Sequence, residues 1–154
     1  MIITFAGHGI LYNSEHISQK INTILIECTQ HDSHTSFYCG GYGDFDHLCA
    51  KACAAIRDTR QNCEVIFVTP YITESRLKYQ ADPKLYNATI YPPLENVPLR
   101  FAIRKRNEWM VDQADLVIAY VAHKYGGAYQ TPEYARRKKK IIINLADQTA
   151  RTSF

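Results

Sequence analysis

The side chains best suited to chemistry stand on either side of a glycine pair. Arg104-Lys105-Arg106-Asn107-Glu108-Trp109-Met110 precedes the apolar run Asp115-Leu116-Val117-Ile118-Ala119-Tyr120, and Tyr125-Gly126-Gly127-Ala128-Tyr129-Gln130-Thr131-Pro132-Glu133 follows it. The order implied is helix, buried strand, glycine turn, helix. A glycine turn between a strand's carboxyl end and a helix's amino end leaves backbone N–H groups unpaired, and with the helix dipole they attract a phosphate or another anion. An arginine on the preceding helix supplies the matching cation, because its planar fork can meet a phosphate through two parallel hydrogen bonds. Arg106 is the candidate for that role. Glu133 is the sharpest single candidate beyond it. In a helix's first turn a glutamate merely complements the dipole, but beside a phosphate-binding turn it can face a ribose or an attacking water.

Two further glycine turns belong with the first. Gly7-His8-Gly9 follows the amino-terminal strand, and Gly40-Gly41-Tyr42-Gly43 follows the second. In a parallel sheet all three fall at the carboxyl ends of strands, where ligands of such folds bind. Gly7, His8, Gly40, Gly41, Gly43, Gly126 and Gly127 are therefore candidate ligand-binding positions. Asp44 and Asp46 are ambiguous between capping the next helix and reaching the ligand. None of the turns has the G-x-G-x-x-G spacing of a dinucleotide site, and no phosphate-binding G-x-x-x-x-G-K-[ST] loop occurs.

The elements that must hold these residues alternate regularly. The pattern predicts strands at 2–5, 36–39, 65–68, 116–121 and 141–145. It predicts helices from Ser14 through Cys28, from Asp44 or Asp46 through Ile56, over 99–113 and over 131–139. A short helical turn is expected at 75–79, and a long ordered loop around an Ile90 strand fragment between Ala81 and Pro98. Continuous Val/Ile runs without in-out alternation mean strands covered on both faces. The expected fold is α/β: a single-domain Rossmann-like three-layer fold with a mainly parallel sheet, spanning 1–150, with 151–154 a frayed carboxyl terminus.

Composition narrows the partners. At 154 residues, with 46% hydrophobic and 21% charged residues, the chain is an ordinary globular domain. A net charge of +3 is too small to argue for nucleic acid. The five basic residues from Arg136 to Lys140 lie where a helix ends and complement its dipole. Cys28, Cys39, Cys49, Cys53 and Cys63 form no C-x-x-C pair and read as reduced, mostly buried thiols. With His47 the sole nearby helper, no metal site and no cofactor are expected. Residues 1–8 carry neither the basic region nor the long apolar run of a signal peptide, and no stretch approaches the roughly 20 apolar residues of a membrane span, so a cytoplasmic protein is expected.

These residues together resemble the SLOG superfamily, which joins the LONELY GUY (LOG) phosphoribohydrolases, the DprA DNA-binding proteins and the YpsA-like bacterial proteins. The YpsA-like branch is the most similar. Its T-G-H-R corresponds to Ala6-Gly7-His8-Gly9, its S-G-x-x-x-G-x-D to Cys39 through Asp46, its K-R-N-x-x-M-V-D to Lys105 through Asp112, and its G-G-x-x-x-T-x-x-Y-A to Gly126 through Ala135. The chain has Gly9 where that branch has arginine, and Ala128-Tyr129-Gln130 lengthens the turn relative to the LOG motif. By resemblance, Arg106 and Glu133 are the catalytic pair, Asn107 joins the ligand contacts, and Gly126, Gly127 and Thr131 bind phosphate. The implied ligand is a nucleotide or nucleotide-derived phosphate at the carboxyl edge of the sheet, and the implied reaction is hydrolysis of its N-glycosidic bond. A non-catalytic sensor of nucleotides or ADP-ribose-like compounds is the alternative, and a DprA-like single-strand DNA binder the third reading. LOG relatives imply a homodimer.

Overall fold

A computed structural model of the chain describes residues 1–73 and 82–147. The chain runs β1 (Ile2–Gly7), α1 (Ser14–Thr29), β2 (Thr35–Cys39), α2 (Gly43–Thr59), β3 (Cys63–Val68), β4 (Ala88–Ile90), a 3-10 turn at Leu99–Phe101, α3 (Ala102–Gln113), β5 (Leu116–Tyr120), α4 (Gly127–Arg137) and β6 (Ile141–Asn144). All six strands join one sheet in the order β4-β3-β2-β1-β5-β6, and every pairing is parallel. The α/β Rossmann-like expectation holds. The helical turn expected at 75–79 lies outside the described residues.

Alternation of side chains across the strands builds three layers. Ile3, Phe5, Phe37, Val65, Phe67, Leu116 and Ile118 face α1 and α2, meeting Ile17, Ile21, Leu25, Phe45, Cys49 and Cys53 in the main core. Their strand neighbours Ile66 and Val68 pack on Met110 of α3, and Val117 packs on Val111 of α3 and Ala135 of α4. Both faces are covered, so the strands are apolar throughout rather than alternately polar. All five cysteines are free, and Cys49 and Cys53, one turn apart, share the buried side of α2.

The chain crosses the sheet once. It builds β1 to β4 on one side, then returns past β1 to lay β5 and β6 on the other. The connection after β1 goes to one face and that after β5 to the opposite face, which opens a crevice at the carboxyl ends of this central strand pair. Gly7 ends β1 there and permits a close crossing with α2. A Cβ at this position would stand 2.3–2.8 Å from the side chain of Phe45, which is fully buried.

One difference from the expected helix boundaries moves a candidate site residue. α4 begins at Gly127, not Thr131, so Thr131 and Pro132 lie inside the helix and Glu133 is past its first turn. The dipole contact of a first-turn glutamate therefore does not apply to Glu133. Pro132 resembles a helix start because its fixed φ suits one, yet here its missing N–H is accommodated one turn in.

Gly7→Ala is expected to destabilise the protein by about 1–3 kcal/mol through overpacking against Phe45. A lower urea midpoint with an unchanged denaturant slope would record it.

Candidate functional site at the carboxyl edge of the sheet

Three chain segments and one helix converge in the crevice. A cavity of about 100 Å³ is lined by Phe5, Ala6 and Gly7 at the end of β1, Tyr42 and Asp46 around the start of α2, Ile103, Arg106 and Asn107 on α3, and Gly127, Ala128 and Thr131 on α4. A shallower groove of about 560 Å³ adjoins it, sharing Ile103, Asn107, Gly127 and Thr131 and adding Arg100, Arg104, Glu108, Tyr129, Gln130, Glu133 and Arg137.

Arg106 forms the floor. Its spacing on α3 puts it on the face shared with Ile103 and Met110, and the residue is 1% exposed. Nη1 donates to the carbonyls of Gly40 and Val68, both at 2.6 Å, and Nε donates to Asn107 Oδ1 at 2.8 Å. The cation also lies over the Tyr42 ring, 5.3 Å from its centroid. Nη2 makes no hydrogen bond among the described residues, although its side chain borders the cavity. Burial pulls the guanidinium's pKa down, and Asp46 is the foremost group opposing that pull. An arginine nevertheless stays charged. Asn107 carries the connection outward, donating through Nδ2 to Thr131 Oγ1 at 3.4 Å.

Asp46 stands across from Arg106 without forming a direct ion pair. Asp46 Oδ2 accepts from the Tyr42 N–H at 3.1 Å, closing the first turn of α2 from inside. Arg106 Nη1 and Asp46 Oδ2 both come within 2.9–3.0 Å of where a Gly40 Cβ would stand, so only glycine leaves room for both. Asp46 keeps some surface open to the cavity, but protein encloses the carboxyl on its other sides. That burial pushes its pKa up to about 6, against the lowering effects of Arg106 and the Tyr42 N–H. Asp44 takes neither role foreseen for this pair, since it does not cap α2 and does not line the cavity. Its carboxylate faces away and accepts from the Leu11 N–H at 3.0 Å.

The mouth of the cavity is glycine. Gly126 occupies the cap position of α4 with φ 84°, a left-handed backbone that glycine adopts without strain, and it offers no side chain to the first N–H groups of the helix. A Cβ on Gly127 would meet nothing within 4 Å. Nothing within the protein requires glycine there; what its absence of a side chain preserves is open space.

The remaining candidates hold the frame. Gly41 (φ 71°) lies against Phe67, and Gly43 (φ 88°) lies against Gly9, whose carbonyl accepts from the Asp44 N–H. His8 Nε2 accepts from the Ala122 N–H at 2.9 Å, tying the β1 turn to the β5 turn, and burial followed by His123 lowers its pKa. Neither cavity described above includes His8. Glu133 lines the outer groove and not the inner cavity, so it does not share a hollow with Arg106. Its carboxylate bonds Arg136 and Tyr129, with 38% of its side chain exposed. The Tyr129 hydroxyl, then Arg136, hold its pKa below the usual glutamate value. It is an ionised surface carboxylate. Ile103 was absent from the sequence candidates, although the 103/106/107 spacing marks one helical face. Tyr42 was missed because only the fold carries it over Arg106.

The two halves of the site are joined at their far end as well. Lys140 Nζ donates to the Asp112 and Ala114 carbonyls at 2.9 and 3.0 Å, satisfying the carboxyl end of α3. The Tyr134 hydroxyl donates to Asp112. The basic run thus ends one helix and closes another. Among the described residues, no group of three or more His, Cys, Asp or Glu side chains could hold a metal, and no helix is long and apolar enough to cross a membrane.

No protein-family model matches the chain, and no curated protein does. A solved structure does: DNA processing protein A (DprA) from Streptococcus pneumoniae superimposes with a TM-score of 0.65 at 15% identity, over 97% of this chain and 51% of that one. The fold is DprA-like. The chain therefore spans about half the length of that neighbour, and at this identity the likeness is one of architecture.

Asp46 gives a pH signature independent of any ligand. Its folded pKa of about 6 lies above the unfolded value of about 3.9, so the native state binds the proton more tightly. The stability this contributes is full below about pH 4 and is lost as pH rises through about 6. Asp46→Asn should consequently stabilise the protein at neutral pH by about 1–3 kcal/mol and have little effect near pH 4, as read from denaturation midpoints across pH.

Proposed function

We propose that the inner cavity binds the phosphate of a nucleotide or nucleotide-derived compound, with the sugar and base in the outer groove. The observation that carries this reading is Arg106 Nη2. Among the described residues it has no acceptor, a costly state for a buried guanidinium group, and it belongs to a side chain bordering a cavity that also receives the uncapped amino end of α4. An anion in the cavity would satisfy both. Phosphate fits better than a carboxylate, because it can accept from the guanidinium and from helix N–H groups at once. The Gly126-Gly127 pair leaves the approach clear, and Thr131 presents its hydroxyl on the same wall. The resemblance to YpsA-like and LOG sequences at Lys105 through Asp112 and Gly126 through Ala135 points to the same ligand class.

Hydrolysis of the N-glycosidic bond is the second reading, favoured by the place of Glu133 in the adjoining groove. With phosphate anchored at Gly127, the ribose would extend past Thr131 toward that carboxylate. An ionised Glu133 would stabilise the positive ribosyl centre as the base departs, or orient water toward it. In a non-catalytic sensor the same groove would only hold the ligand. The neighbour's name, DNA processing protein A, suggests DNA as a third ligand class, and Arg100, Arg104 and Arg137 on the outer groove would then meet a strand's backbone.

The test is a panel of nucleoside monophosphates, ADP-ribose and a single-stranded oligonucleotide, scored for thermal stabilisation and for free base. Nucleotide binding raises the melting temperature, since a ligand bound only by the native state stabilises it. Gly127→Val should fold normally and lose that stabilisation. Base release reduced on the order of 100-fold or more in Glu133→Gln supports catalysis, whereas stabilisation without release supports a sensor. Steeply salt-dependent oligonucleotide binding with no nucleotide effect would overturn the proposal in favour of DNA.

A further inference from the structure

Resting on the phosphate reading just given, we propose that Asp46 is the specificity element of the inner cavity: it takes a proton from solvent as the phosphate enters, and its carboxylic acid then donates a hydrogen bond to the bound anion.

The geometry begins with what each group has left to offer. Asp46 Oδ2 is engaged by the Tyr42 N–H, while Oδ1 makes no hydrogen bond among the described residues. Arg106 Nη1 is engaged by two carbonyls, while Nη2 has no acceptor among the described residues. Among those residues each side chain thus has one uncommitted polar atom, and both side chains border a cavity of about 100 Å³. A phosphate group in so small a space cannot reach Arg106 while keeping a solvent-screened distance from Asp46. An ionised Asp46 would oppose it through a medium that screens poorly. A protonated Asp46 becomes a donor, and the same oxygen that repelled the anion binds it.

The surrounding groups let this exchange occur near neutrality. Burial already weakens the acid, with a pKa of about 6 before any anion arrives, so one additional negative charge is enough to complete its protonation. Arg106 on α3 is the cation facing it, and Tyr42 supplies the N–H that opposes the shift. Cys49 on its own helix and Tyr86 after β3 also feel its charge, but burial raises both of their pKa values, so each stays protonated through this range. The proton balance is simple: one proton leaves the buffer, Asp46 changes from carboxylate to acid, and no bond to the ligand is made or broken. A site built this way selects an anion that can accept a hydrogen bond.

The experiment titrates adenosine 5′-monophosphate into the wild type and into Asp46→Asn by calorimetry, between about pH 5.5 and about pH 8, in buffers of different ionisation enthalpy. The wild type should take up close to one more proton per nucleotide than the variant near pH 7.5, and its affinity relative to the variant should fall by up to about tenfold per pH unit above 6.5. The phosphate's own titration, near pH 6, occurs with both proteins and cancels in the comparison. Carboxyl-carbon NMR of the wild type supplies a second readout, independent of whether the variant folds. Asp46 should titrate at least about 2.5 units higher with nucleotide bound, as near-complete proton uptake at about pH 7.5 requires. Equal proton uptake in the two proteins, or an Asp46 titration unmoved by nucleotide, overturns this inference while leaving phosphate binding intact. No binding of the nucleotide or of inorganic phosphate by the wild type at any pH defeats the phosphate reading, and this inference with it.

Discussion

The architecture of the crevice depends on one buried cation. Arg106 reaches from α3 across the carboxyl end of the sheet and joins the carbonyl of Gly40, just past β2, to that of Val68, the last residue of β3. A charge in such a place loses its hydration, and carbonyl dipoles only partly replace it. Asp46 stands close enough to influence it and too far to pair with it. The site is thus held in an electrostatically incomplete state. A hydrophobic residue at this position would avoid the cost of burial, but it would leave two strand-end carbonyls without this donor and the cavity without its cation.

This arrangement explains why the glycines are distributed as they are. Gly40 gives space to the Arg106–Asp46 pair, and Gly7 lets α2 pass close to the end of β1. These are demands of packing. Gly127 has no packing neighbour to avoid among the described residues, and its missing side chain leaves the space in front of it open. Similar residues in similar turns thus serve opposite ends, one set filling the interior and the other keeping the entrance free.

Much of this was legible in the residues themselves. The apolar runs at 65–68 and 116–121, alternating with helical spacing, determined a parallel sheet because no other arrangement buries both faces of such strands. The turns at Gly7, Gly40 and Gly126 fell together because strand direction dictates which end they share. Arg106 stood out by type and place, but its burial depended on α3 crossing behind two strands distant in sequence. Glu133 looked like a first-turn residue because Thr131-Pro132 imitates a helix start, and the real start at Gly127 moved it along the helix into the outer groove. The Asp46 environment was beyond local reading. It is made by Arg106, 60 positions later in the numbering, and by the Tyr42 N–H, whose direction only the folded loop determines.

α3 and α4 are fastened at two levels, by Asn107 with Thr131 beside the cavity and by Lys140 and Tyr134 with Asp112 at the carboxyl end of α3. Two rods clamped twice behave as a single plate. The wall they form is braced against opening about a hinge between them, and the groove beside the cavity is rimmed by Tyr129 and Arg104. Side chains at such a rim turn on the nanosecond scale, far faster than domain movement.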